Sequence, residues 1–201
     1  MSSAVRDEVM RLLSAEEGHF VFESGHHGTR WLDLEALFLH PAAIEPLARE
    51  LASRLRACDA EVVCGPLVEG AFLALMVARE LALPFTYSER FGGGDGALYS
   101  YRYRIPRTLH RHVAGKRVLI INDVISAGSA VRGTFFELAQ LGATVTAIGA
   151  LLVLGDWTAL FAEEHHLRVE SLAQDTHDLW TPEECPLCAR GVRLERRVQS
   201  L

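Results

Sequence analysis

Short apolar runs alternate with amphipathic stretches along this chain, and the period of each run predicts its element. Val5 to Leu13 and Pro41 to Leu55 repeat apolar residues at helical spacing, with Pro41 placed where a helix starts. Glu61 to Gly65 reads as a short strand, Glu69 to Leu81 as an apolar-rich helix, and Pro84 to Ser88 as a second strand. Arg117 to Ile121 is an apolar strand rich in β-branched residues. A helix from about Ser129 to Leu141 ends at Gly142, and a strand follows over Val145 to Leu154. Such alternation predicts an α/β fold, doubly wound, with a mostly parallel sheet flanked by helices. No internal repeat is visible.

The longest uncharged run, Leu138 to Gly155, approaches membrane-spanning length, but Gln140, Gly142, Thr144 and Thr146 interrupt it. It is better read as a helix end, a turn and a buried strand. The 201 residues are 49% apolar and 23% charged, which excludes disorder and low complexity and suits a single domain. A net charge of -6 gives no broad attraction to nucleic acid or anionic membranes, so small-molecule chemistry leads. The N-terminus mixes charges into its helical pattern rather than presenting an apolar signal, and a cytoplasmic location is the expectation.

The most informative stretch is VLIINDVISAGSAVR, Val118 to Arg132. An apolar strand runs into Asn122 and Asp123, then a loop of Ser126, Ala127, Gly128, Ser129 and Ala130 opens a helix. Small side chains let backbone N–H groups approach an anion, and the helix N-terminus adds partial positive charge. A carboxylate beside such a cradle is repelled by phosphate unless it meets sugar hydroxyls or a metal. Ribose phosphate satisfies both demands. The plain alternative is a strand-to-helix turn capped by Asp123.

These residues resemble the phosphoribosyl-diphosphate (PRPP) motif of type I phosphoribosyltransferases. CGPLVEG, Cys64 to Gly70, resembles that family's pyrophosphate-binding turn, and FVFESGHHGTRWLDL, Phe20 to Leu34, resembles the hood of its orotate-specific members. The similarity runs from about Gly18 to Asp156. It implies the type I fold, with a hood over residues 1–40 and a flap over 89–116, and transfer of ribose 5-phosphate from PRPP to a nucleobase with Mg2+. It places Asp123, beside Asn122, on the ribose hydroxyls, Ser126 to Ala130 on the 5'-phosphate, Leu67, Val68 and Glu69 on pyrophosphate, and Arg90 nearby. A homodimer is implied too, since members often extend a flap residue into the neighbouring site.

Departures narrow the reading. The first acid of the usual pair is Asn122, and the single lysine is Lys116, although flap and hood lysines are the family habit. His27 stands at the hood lysine position, while Arg102 and Arg104 in YSYRYR are the expected catalytic cations on the flap. YSYRYRI also alternates like a strand, so a plain hairpin is the alternative. His27, Trp31 and Leu32 are candidates for the base pocket. Where an arginine would meet the orotate carboxylate, this chain has Gly155 and Asp156, which suits a base carrying N–H donors. Orotate is the leading base, with a purine as alternative, and a PRPP- or nucleotide-sensing regulator as the non-enzymatic one. Of His19, His26 and His27, two are expected at the surface.

Four cysteines are expected as reduced thiols, with Cys58 and Cys64 in or near the core. Cys185 and Cys188 in CPLC have metal-ligand spacing and make half of a tetrahedral zinc site; His165, His166, His177 or a second subunit are the candidates for the rest. A turn bearing two thiols is the preferred expectation, and a zinc-dependent nucleic-acid module the least favoured. Residues 160–201 form an appendage beyond the resemblance, and its Arg190, Arg193, Arg196 and Arg197 read as a solvated basic tail.

Overall fold

The computed structural model describes residues 3–93, 97–176 and 178–197. Its elements run α1 (Ser3–Leu12), β1 (Ala15–Val21), β2 (His27–Leu32), α2 (Pro41–Leu55), β3 (Val62–Pro66), α3 (Glu69–Leu81), β4 (Phe85–Phe91), β5 (Arg102–Arg104) and α4 (His110–Val113). They continue with β6 (Arg117–Ile125), α5 (Ser129–Gln140), β7 (Thr144–Leu154), α6 (Trp157–His165), β8 (Arg168–Asp175), α7 (Pro186–Ala189) and β9 (Glu195–Arg196). The main sheet has the order β5-β4-β3-β6-β7-β8 and is parallel except for β5, which lies antiparallel on β4. None of the described helices is long and apolar enough to cross a membrane.

Strand alternation divides the core in two. Val63, Leu119 and Ile121 point to one face and are covered by Val9 of α1, Ile44 and Leu51 of α2, and Leu73 and Val77 of α3. Val62, Cys64, Val118 and Ile120 point to the other, where Val113, Val131, Leu138 and Phe161 close it from α4, α5 and α6. The doubly wound reading therefore holds. Cys64 is fully buried, and its apolar surroundings push the thiol far above its ordinary pKa.

The winding direction reverses between β3 and β6. From β3 the chain crosses through α3 to β4 on one side; from β6 it crosses through α5 to β7 on the other. Ligands of open α/β sheets bind in the crevice beyond the carboxyl ends of the strands at such a switch point. Here that position lies between the Leu67–Glu69 turn and the 126–130 loop.

One sequence boundary shifts with consequence. The β6 strand was expected to end at Ile121 but continues to Ile125, because Asn122, Val124 and Ile125 find ladder partners in Ala150, Leu152 and Val153 of the long strand β7. Asn122 and Asp123 are thus held inside a central strand rather than in a loop. A second, smaller sheet has the order β2-β1-β9, so the C-terminal segment returns to pair in parallel with β1. Neither sheet strand of residues 15–32 nor β8 and β9 was foreseen from periodicity.

Close approach of α3 to β3 shapes the crevice. A Cβ on Gly65 would lie 2.6 Å from the Gly70 carbonyl oxygen and 2.8 Å from Ala71 Cα, both backbone atoms that cannot swing aside. Gly65→Ala is expected to cost about 3 kcal/mol by forcing the first turn of α3 outward, the upper part of the range for overpacking. Urea denaturation measures this, and an unchanged midpoint would show that the helix is free to shift.

Candidate active site

A cavity of about 560 Å³ opens at the switch point. Its floor is the end of β6, its near wall the turn after β3 and the loop before α5, and its far wall the small sheet. Of the residues singled out from sequence, Leu67, Val68, Glu69, Arg90, Asn122, Asp123, Ser126, Ala127, Gly128, Ser129, Ala130, His27, Trp31 and Leu32 all line it.

The floor is electrostatically unusual. Asp123 is buried, and its Oδ2 has no hydrogen-bond partner among the described residues. Burial pushes its carboxyl up to about 7; the Val124 amide opposes this, and nearby Glu69 adds to it. Burial raises Glu69 as well. Ser126 Oγ is a second buried atom without a partner among the described residues. Two unmet polar atoms on residues that line one cavity point to a ligand. Asn122 differs, since its Nδ2 donates to the Val124 carbonyl at 2.8 Å, and a Cβ on Gly70 would overlap its Oδ1.

The 126–130 loop has the conformation an anion cradle needs. Gly128 takes φ +75° immediately before α5, and any Cβ there would overlap the Trp157 ring. The N–H groups of the first turn of α5 are therefore left directed at the cavity edge. On the opposite side, the Leu67 amide donates to the Ser88 carbonyl at 2.9 Å, which ties the turn to β4.

Three sequence-predicted residues lie elsewhere. Arg102 and Arg104 are not among the cavity-lining residues; both are exposed, with guanidinium groups 5.0 and 5.1 Å from the Phe91 ring centre, and Arg104 pairs with Glu89 at 3.5 Å. Strand alternation is the reason, because β5 turns the intervening Tyr103 inward. The YSYRYRI segment thus contains the hairpin strand that its alternation allowed. Asp156 is exposed at the start of α6 and does not line the cavity, so it poses no repulsion to a substrate carboxylate.

The histidines and the tail also depart from expectation. His19 and His27 are buried and His26 is half-buried, so the surface reading fails for two of the three. Arg190, Arg193, Arg196 and Arg197 are all exposed, as a basic tail would be, but Arg196 and Arg197 also line the cavity. Pairing of β9 with β1 carries them there, with Arg196 opposite Val21.

Several lining residues escaped sequence reasoning. Glu23 accepts from Arg90 Nη1 at 2.8 Å and from the Tyr103 hydroxyl at 2.6 Å. Burial and the Glu23 charge push the Tyr103 phenol well above its ordinary value. Tyr99 bridges the two walls, its amide donating to the Ser24 carbonyl and its hydroxyl to the Ala127 carbonyl at 3.0 Å. Trp31 stacks on Phe22 with an 11° interplanar angle, giving the far wall a flat aromatic surface. Inward tyrosines were legible in the Tyr-Arg alternation of residues 99–104; the Glu23 contacts join elements too distant in sequence to pair by inspection.

With this geometry established, similarity to known proteins becomes specific. An orotate phosphoribosyltransferase from Pelotomaculum thermopropionicum is 30% identical, over 93% of this chain and 94% of its own length. The chain belongs to the orotate phosphoribosyltransferase family. No protein-family profile matches it. The type I phosphoribosyltransferase fold is shared with solved structures: an orotate phosphoribosyltransferase from Aeropyrum pernix aligns with TM-score 0.60 at 20% identity, covering 87% of this chain and 93% of the other. An adenine phosphoribosyltransferase from Thermoanaerobacter pseudethanolicus aligns with TM-score 0.65 at 16% identity, covering 84% and 99%.

The raised Asp123 carboxyl has a thermodynamic signature. Between about pH 4 and pH 7 the unfolded chain has released this proton while the native chain retains it, so native stability falls as pH rises through that window. Asp123→Asn, which stays neutral, is expected to be more stable than the parent at pH 8 by up to about 4 kcal/mol and equal to it near pH 4. Urea denaturation at both pH values checks this; a difference independent of pH would assign the effect to something other than ionisation.

Proposed function

We propose that the chain transfers ribose 5-phosphate from PRPP to orotate, releasing pyrophosphate and forming orotidine 5'-monophosphate. The observation that carries this reading is the pair of unpartnered buried atoms, Asp123 Oδ2 and Ser126 Oγ, on residues lining a cavity whose opposite wall holds Trp31 and cationic arginines. Ser126 to Ala130 and the start of α5 hold the 5'-phosphate, Asp123 accepts from the ribose hydroxyls, and the Leu67–Glu69 turn takes pyrophosphate. Asp123 ionises on meeting those donors, since hydrogen bonds to a carboxylate favour its charged form.

In the reaction the bond from the anomeric carbon to the pyrophosphate oxygen breaks, a bond to the base nitrogen forms, and the base releases its N–H proton. Positive charge develops on the sugar as negative charge leaves, so the protein acts mainly through position and fixed charge. Magnesium carried by PRPP would neutralise the departing pyrophosphate. The residues fit that role, because Asp123 presents a hard oxygen acceptor at the sugar and Glu69 a second carboxylate beside it, with most coordination left to substrate and water.

For the substrate carboxylate, Arg196 is the best-placed cation: it lines the cavity and has no carboxylate partner among the described residues. Arg30 is engaged by Asp175 at 3.2 Å, and Arg197 by Glu16. The β1–β2 hairpin serves as the hood and the stretch around Tyr99 as the flap over the site, with the Tyr99 hydroxyl as the contact that closes it. In a homodimer, Arg102 and Arg104, turned away from their own cavity, would be the cations offered to the neighbouring site. A cytoplasmic enzyme of pyrimidine nucleotide synthesis is the setting this implies. One observation favours a second reading, a slow PRPP-binding regulator: Asn122 supplies no charge, and its amide is already engaged within β6.

Pyrophosphate release from PRPP and Mg2+ with orotate, uracil, adenine, guanine, hypoxanthine and xanthine separates these. Release with orotate alone is expected, and Arg196→Ala raises KM for orotate about tenfold with little change in kcat, the loss expected for one charged hydrogen bond. Release with a purine would replace orotate as substrate. Silence across the panel with PRPP still bound would establish the regulator.

A further inference from the structure

Away from the phosphate cradle, four ligating side chains converge. His19 of β1, His27 of β2, and Cys185 and Cys188 around α7 place their ligating atoms within 4.8 Å of one another. Cys185 Sγ lies 3.3 Å and Cys188 Sγ 3.7 Å from His19 Nε2, and Cys188 Sγ lies 3.3 Å from His27 Nδ1. With Zn–S near 2.3 Å and Zn–N near 2.0 Å, the S···N edge of a zinc tetrahedron is about 3.5 Å. The three separations bracket that value.

The surroundings agree. His19, His27 and Cys185 are buried, whereas the exposed Cys188 closes the site toward solvent. His19 Nδ1 donates to the Val192 carbonyl at 2.9 Å, which fixes the tautomer that leaves Nε2 free to ligate. The CPLC turn is itself set by backbone bonds, Ala189 N–H to the Cys185 carbonyl and Gly191 N–H to the Cys188 carbonyl. Of the histidines suggested by sequence, His165 packs on Phe135 and Phe161 and His166 ends α6, while His177 lies outside the described residues.

We infer that His19, His27, Cys185 and Cys188 bind one structural zinc ion, which fastens the C-terminal segment to the small sheet. The site has no open position for substrate chemistry, as all four vertices are protein atoms. Its effect is mechanical. One ligand comes from each of β1 and β2 and two from the chain just before β9, so the ion ties together the strands that form the far wall. Where the proposed function holds, the same ion keeps Arg196 at the cavity, but zinc binding itself does not depend on that reading.

The test uses untagged full-length protein. Elemental analysis after exhaustive dialysis is expected to give one zinc per chain, released when a mercurial blocks the thiols, and cobalt replacement is expected to give the strong visible bands of a tetrahedral thiolate centre. Stripping zinc with a chelator is expected to lower Tm by 5 °C or more, as loss of a tight native-state ligand should for a chain of about this size, and to open residues 178–197 to protease; added zinc reverses both. Cys188→Ser, the mildest variant at an exposed ligand, is expected to lower zinc affinity at least tenfold. Should that variant not fold, the cobalt spectrum of the parent stands alone as the test. The inference is overturned if protein prepared with excess zinc holds none after dialysis, if cobalt gives only weak octahedral bands, or if the folded zinc-free chain carries a Cys185–Cys188 disulfide. None of these outcomes depends on turnover, so failure here and failure of the substrate assignment are separable.

Discussion

A carboxylate that the fold buries without satisfying is the constraint around which the carboxyl edge of the sheet is organised. Asp123 belongs to a strand whose neighbours on both sides are apolar and whose ladder with β7 continues past it, so it cannot turn out to water. Burying an unpaired charge is expensive, and the group responds by keeping its proton to about neutrality. The surrounding architecture maintains that state: Gly65 and Gly70 bring α3 against β3, Glu69 adds a second carboxyl, and Gly128 allows the loop to pass under Trp157. Stability is spent at this edge, which leaves an acceptor with no competing partner among the described residues.

The opposite wall has the converse problem. Three short strands do not enclose much apolar volume, and Phe20, Phe22 and Trp31 supply most of what the small sheet can bury. Such small units usually need a staple. The C-terminal segment provides contacts of two kinds, a backbone bridge between His27 and Trp180 and the parallel pairing of β9 with β1. The histidine-cysteine cluster lies between them. A metal there would convert a marginal sheet into a fixed wall, and the residues delivered by that fixing, Arg196 and Leu194, face the cavity.

Much of this was legible in the sequence, and the limits have physical causes. Helices α2 and α3 match their predicted spans because Pro41 fixes one start and apolar spacing is unbroken in both. The cradle was readable because small residues after an apolar strand have few structural uses. Strand β6 ran longer than periodicity suggested, since Asn122 and Asp123 look like loop residues and only the length of β7 keeps them paired. The placement of Arg102 and Arg104 followed from alternation that also admitted the opposite face. The zinc ligands were half visible: CPLC has local spacing, but His19 and His27 meet it through contacts spanning more than a hundred and sixty residues, as the separations of 166 and 161 show. Nothing local in GHF or HHG distinguishes a ligand from a surface histidine.

Asn122 joins these themes. A second carboxylate at this position would sit in the same buried strand, next to Asp123 and near Glu69, where like charges repel strongly because little water screens them. Asparagine instead donates to the Val124 carbonyl and lets α3 approach until Gly70 abuts its side-chain oxygen. The chain therefore keeps one ionisable group at the end of β6 rather than two, and its proton is held by burial with nearby Glu69 adding to it. A single carboxyl poised near pH 7 changes charge on contact with its ligand, whereas a pair would share one proton and resist losing it. Under the proposed function, removing the neighbouring charge makes the remaining carboxylate easier to form when PRPP arrives, at the expense of negative potential around any metal that would accompany it.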